Sequence, residues 1–225
     1  MMDERQAELE AHMAAFAEAS EPILAELAES GVEVERLSQL IKEPIDYRPG
    51  ISVLLKWLPL VDNLAVKRTL VQVLTVKWAR PVAAHPLIEE YLKVPIDTVD
   101  DMSMLFKWEI GSALSVVADA SVFDEVVALV RDRRHGWARQ MLAVALGNMK
   151  DPRVVGVLID LLDDEEVAGH ALVALRKLAP VEARGAIERF VDHPKTWVRN
   201  EARRAVAKID KKIAREAEKR ATRGR

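Results

Sequence analysis

The chain copies itself at a period of about 30 residues. Trp137–Gly147 (WARQMLAVALG), Glu166–Arg176 (EVAGHALVALR) and Trp197–Ala207 (WVRNEARRAVA) align without gaps. The same offsets carry small or apolar residues: Ala138, Val167 and Val198; Leu142, Ala171 and Ala202; Ala145, Ala174 and Ala205; Leu146, Leu175 and Val206. A register position holds Arg139, Ala168 and Arg199, spaced by 29 and then 31 residues. A recurring helix with one such stripe cannot bury it alone. It must stack on its own copies, and this is the pattern of a solenoid.

Weaker copies lie upstream. Ala65–Thr75 places Val66, Leu70, Val73 and Leu74 at the equivalent offsets, with Lys67 in register, and Leu105–Ser115 does so with Phe106, Ile110, Ala113, Leu114 and Lys107. Lys67 and Lys107 stand 40 residues apart, and the excess falls at Lys93–Asp101, which predicts a longer turn there. Each copy is preceded by a shorter apolar helix, expected at 51–61, 86–93, 122–131, 152–162 and 181–191. Val154, Val157, Leu158, Leu161 and Leu162 show the helical rather than the alternating period. Asp151-Pro152 and Ala179-Pro180 supply the breaks between hairpins.

These offsets, with an apolar residue and then Arg or Lys opening the second helix and an Asp shortly before it, resemble HEAT repeats. They are closer still to the short HEAT-like repeats of phycobiliprotein lyases, through Asp62 before Lys67, Asp132 before Arg139 and Asp192 before Arg199. The fourth unit departs, with Asp163 and Asp164 but Ala168 in register. Leu74–Pro81 and Ala113–Asp119 also resemble stretches of a widespread group of bacterial HEAT-repeat proteins. The resemblance implies an all-α, right-handed α-solenoid of about five HEAT-like hairpins with an N-terminal helical cap. Its division would be 1–46 as an acidic helical cap or arm, 47–213 as the solenoid and 214–225 as a basic C-terminal tail.

The N-terminal segment does not follow the repeat. Leu9, Met13 and Phe16 share one helical face, and Ser20-Glu21-Pro22 predicts a break, with Ser20 capping a second helix that ends at Gly31. A third helix is expected from Val34 to Lys42. These helices either cover the first hairpin or form an arm that docks on a partner. Net charge is −3 and lopsided: residues 1–40 hold ten acidic against two basic residues, and residues 199–225 eleven basic against four acidic. Two readings stay open: polar end-caps, or a basic segment from Lys208 to Arg225 that meets nucleic acid, an acidic partner or the acidic end of another copy.

In a HEAT-like superhelix the second helices line the concave wall. The residues expected to face a partner there are Arg68, Gln72, Trp108, Ser112, Gln140, Asn200 and Arg204. Trp108 either anchors a partner or fills space beside Gly111 and Ser112. Trp137 and Trp197 recur at one offset and are expected to pack in the turn. Lys67, Lys107, Arg139 and Arg199 are expected to pair with turn aspartates of their own or neighbouring units, each exposed pair contributing under about 1 kcal/mol.

Chemistry is hard to find. His12, His85, His135, His170 and His193 are scattered, and Asp163–Glu166 lacks the alternating ligands of a calcium loop. No catalytic residue, metal or cofactor is expected. With no Cys, no secretion signal and no apolar run near the roughly 20 residues of a membrane span, a cytoplasmic location is expected. The expected function is a non-catalytic scaffold that holds an unidentified protein or peptide, an inhibitor or immunity protein being a specific form. One alternative is a nucleic-acid-binding protein related to HEAT-like alkylpurine DNA glycosylases, with Lys67, Arg68, Lys107, Trp108, Arg139, Arg199 and Arg204 tracking phosphates. A pI near 6 argues against it. A phycobilin-lyase-like assembly factor is the other alternative.

Overall fold

The structure, a computed structural model, describes residues 2–80, 82–96 and 101–223. Among them every regular element is helical. Pro81 and four residues of the predicted long turn, 97–100, lie outside the described residues. Five hairpins follow one another: α3 (Ile51–Trp57) with α4 (Leu64–Val73), α5 (Ala84–Lys93) with α6 (Asp101–Val117), α7 (Phe123–Arg131) with α8 (Gln140–Leu146), α9 (Val154–Asp160) with α10 (Ala168–Leu178), and α11 (Arg184–Glu188) with α12 (Thr196–Arg223). The second helices form one continuous layer in the order α4, α6, α8, α10, α12, each packed on the next. The helices α5, α7, α9 and α11 lie on their own partners in that layer. Their stripe is the core: Leu70, Ile110, Leu142, Ala171 and Ala202, one from each second helix, are all fully buried. This is an α-solenoid.

The N-terminal region differs from the three predicted helices. Residues Met2–Glu29 form one helix, α1, which runs straight through Pro22. An interior proline costs about 3 kcal/mol. Burying a side chain such as Ile or Leu returns about 1.5–3 kcal/mol, and Ile23 and Leu27 are both fully buried against the first hairpin. Ser20 is no cap; its hydroxyl donates to the Phe16 carbonyl at 2.7 Å. Gly31 does end the helix, in the left-handed region at φ 83°, with the Val32 N–H donating to the Leu27 carbonyl at 2.8 Å. The third helix shrinks to α2 (Gln39–Lys42), because the Gln39 side chain accepts from the N–H groups of Glu35 and Arg36 and holds 34–38 in a turn. At the far end, α12 continues as helix to Arg223, and its side chains from 210 to 222 are exposed.

Of the register cations Arg139 pairs with a turn aspartate of the neighbouring unit, as expected, though it is buried, and Lys67, Lys107 and Arg199 take other partners. Asp132 accepts the Arg134 N–H and pairs with the Arg134 guanidinium, so it caps its own turn and does not meet Arg139. Arg139 is wholly buried and reaches forward into the next hairpin, to Asp164 at 2.7 Å and Glu166 at 2.6 Å, while also donating to the carbonyls of Val130 and Gly136. Lys67 likewise reaches Glu90 of the next hairpin at 3.0 Å. Lys107 is buried and donates to the Val94 carbonyl, and Arg199 donates to the His193 and Pro194 carbonyls. Lys67 and Arg139 thus tie neighbouring hairpins together, whereas Lys107 and Arg199 bond carbonyls of their own hairpin.

Three outcomes are expected. Arg139→Met removes the buried guanidinium from partly buried Asp164, leaves it only the longer contact with exposed Arg133 at 3.4 Å, and lowers stability by about 3 kcal/mol, measured by urea unfolding; a loss under about 1 kcal/mol would mean the pair behaves as an exposed one. At Gly147 an added Cβ would meet the Ala174 Cβ at 2.7 Å and its Cα at 3.0 Å. Gly147→Ala is therefore expected to cost about 1–3 kcal/mol. Gly156→Ala, on α9 with nothing within 4 Å, should instead stabilise by about 0.5–1 kcal/mol.

Candidate protein-binding groove

The helix α4 starts where the Asn63 side chain accepts from the N–H groups of Ala65 and Val66. That cap sets the helical phase, which turns Val66 and Leu70 inward and leaves Arg68 and Gln72 outside. On α6, burial of Phe106 and Ile110 likewise turns Trp108 and Ser112 outward, both half-buried. The two outward faces enclose a groove of about 590 Å³. Arg68, Gln72, Trp108 and Ser112 line it together with Glu109 and Thr69. Its volume falls in the range of small-ligand and side-chain sites.

Glu109 is the member that sequence reasoning missed. It holds Arg68 across the groove: Arg68 Nε donates to Glu109 Oε2 at 2.8 Å, and Nη2 to Oε1. Arg68 is thus half of an ion pair and not an isolated anchor. The pairing partner sits 41 residues away, and only the stacking of α4 on α6 identifies it. Trp108 does not fill the space over Gly111, which Met141 of α8 occupies at 3.2 Å from the position of an added Cβ. Its ring is left half-exposed beside the groove. Thr69 and Thr75 donate their hydroxyls to the Ala65 and Val71 carbonyls, which leaves their oxygens free only to accept. Among the described residues the Gln72 side chain forms no hydrogen bond. The groove therefore offers one aromatic face, one uncommitted amide and several acceptors.

The other three expected residues lie elsewhere. Gln140, at the start of α8, donates to the Glu166 carbonyl at 3.2 Å, and Asn200 and Arg204 are exposed on α12, Arg204 bonding Glu201. Trp197 packs edge-on against His170 with ring centroids 5.5 Å apart, and its ring occupies the space where a side chain at Gly169 would start. Trp78 meets Tyr47 at 4.9 Å. The set proposed to track phosphates does not make a surface. Lys107 and Arg139 are buried, Lys67 and Arg68 pair with carboxylates, and Arg199 turns to turn carbonyls.

Titratable groups gather instead inside the junction of the second and third hairpins. Lys107 lies 5.0 Å from the Tyr91 ring centroid, and Tyr91 and His135 pack edge-on at 5.2 Å. Gly136, at φ 53°, folds the segment inward and leaves His135 2% exposed. Burial pushes Lys107 down to about 8 and, with the Lys107 charge, His135 down to about 4. The Arg134 guanidinium holds Asp132 down at about 2. Lys107, Tyr91 and His135 are sealed from solvent, so the cluster gives no substrate a path to them. Among the described residues no group of three or more His, Asp or Glu is arranged to hold a metal ion. Between pH 6.5 and 4 the unfolded chain protonates His135 and the folded chain does not, so stability falls as pH drops through that window. Thermal melts at both limits should show a smaller decrease for His135→Leu than for the wild type; equal decreases would refute a buried neutral ring.

The sequence matches no protein-family model and no curated protein. Among solved structures it is similar to a designed armadillo repeat protein, with 17% identity and a TM-score of 0.46, over 83% of this chain and 99% of that one. A likeness at that level adds no argument about function, and the solenoid assignment rests on the stacked hairpins themselves. The narrower resemblance to phycobiliprotein-lyase repeats finds no support in these comparisons.

Proposed function

We propose that the protein is a non-catalytic scaffold that holds a partner protein or peptide on the exposed face of its second-helix layer, centred on the groove between α4 and α6. The observation that carries this reading is Trp108, left half-exposed beside a groove whose polar members Arg68, Gln72 and Ser112 come from two different hairpins. Trp and Arg dominate the energetics of protein interfaces when a pocket rim excludes water around them. An apolar partner side chain packs on the indole, and a partner N–H meets the Gln72 amide or the Thr69 oxygen. An inhibitor that masks another protein is the narrower form of the same reading.

The ion pair dictates how the test is built. Arg68→Glu would set two carboxylates face to face and confound binding with stability. Trp108→Ala combined with Gln72→Ala removes the anchor and the amide and leaves the pair in place. Affinity capture from native lysate, with and without nuclease, is expected to recover one stoichiometric protein that survives nuclease and is lost with the folded double variant. Full recovery with that variant would refute this site, and recovery of nucleic acid would refute the protein-binding reading.

A further inference from the structure

A second groove lies at the other end of the stack from α12. It runs between α1 and the 34–38 turn, with a volume of about 880 Å³ and an apolar floor of Met13, Phe16, Leu24 and Leu37. Met13 is 63% exposed, and Leu9, one turn earlier, 55%. Glu18, Glu21 and Glu35 line its edges against one cation, Arg36. Among the described residues none of these three carboxylates forms an ion pair. It is an apolar trough with an acidic rim.

The opposite chemistry stands at the other end of the same molecule. The buried stripe of α12, Ala202, Ala205 and Ile209, continues as Ile213, Ala217 and Ala221 after the last hairpin has stopped covering it. Ile213 is 38% exposed. Residues 210–222 are an exposed helical extension about 20 Å long, tied back to the stack by Asp210 to Arg184 and by Lys212 to the Ala179 carbonyl. Lys211, Lys212, Arg215, Lys219 and Arg220 surround the stripe, against Glu216 and Glu218. Among the described residues Lys211, Arg215, Lys219 and Arg220 have no carboxylate partner. An amphipathic helix laid in an apolar groove is a standard mode of recognition, and small residues on its stripe permit close approach.

We propose that the α1 groove receives the basic end of α12 from a second copy of this chain, so that copies join head to tail. The stripe of Ile213 and Ala217 seats on Met13 and Phe16, and the long basic side chains reach the Glu18, Glu21 and Glu35 rim. Donor and acceptor surfaces lie on opposite ends of one stack, so the contact is heterologous, and each copy keeps one free groove and one free helix. The α1 groove adjoins the α4/α6 groove at Ala65, which lines both, and the two share no other lining residue.

Sedimentation velocity of the full chain tests it with two folded variants. Met13→Lys/Glu21→Lys spoils the groove and keeps the helix; Arg215→Glu/Lys219→Glu/Arg220→Glu spoils the helix and keeps the groove. All five positions are exposed, and matching melting curves verify folding. The wild type is expected to form concentration-dependent oligomers, weakened by at least about tenfold between about 0.1 and 1 M salt, as screening shortens from roughly 10 to 3 Å. Each variant alone should be monomeric, and an equimolar mixture should form a dimer and nothing larger, because one intact helix meets one intact groove. A wild type that stays monomeric, variants that still oligomerise, or a mixture without dimer would each overturn the proposal.

Discussion

Everything in this molecule depends on the close approach of each second helix to the next. A hairpin of two short helices has one apolar stripe and no second surface to bury it, so each unit is stable only as the neighbour of another. Ala145, Ala174 and Ala205 are small because the layer is tight at those offsets, and Gly147 is bare because Ala174 of the next hairpin leaves no space for a Cβ. At the start of the stack α1 covers both α3 and α4, and Ile23 and Leu27 supply there the surface that a preceding hairpin would have supplied.

Polar groups then register the units against one another. Pairs such as Lys67 with Glu90, Arg139 with Asp164 and Arg176 with Glu201 join neighbouring hairpins. Their energies differ with burial. Arg176 with Glu201 remains partly solvated and contributes little. Arg139 has no water to return to, so its carboxylates and the Val130 and Gly136 carbonyls are obligatory partners. The buried Lys107 and His135 show the opposite limit, where a polar group is enclosed with few partners and its charged form is disfavoured.

The stack was legible in the sequence because its cause is periodic: a stripe that recurs every 30 residues states which residues face inward. Four of the seven expected surface residues, Arg68, Gln72, Trp108 and Ser112, meet in one groove for the same reason. What periodicity lacks is the neighbour across the junction. Nothing local to Arg139 distinguishes a solvated cation from one that reaches Asp164 of the next hairpin, and nothing near Arg68 points to Glu109. The N-terminus failed differently. Ser20 and Pro22 carry a strong local signal for a break, and tertiary burial of Ile23 and Leu27 overrode it.

The functional reading requires that a partner meets the second-helix layer and not the layer of α5, α7 and α9. Site-specific photo-crosslinking separates the two most directly. A photoreactive residue at Gln72, on the groove, is compared with one at Ala128, exposed on α7. The account predicts one discrete crosslinked protein from position 72 and none from position 128. Crosslinks of equal yield from both, or from position 128 alone, would contradict it.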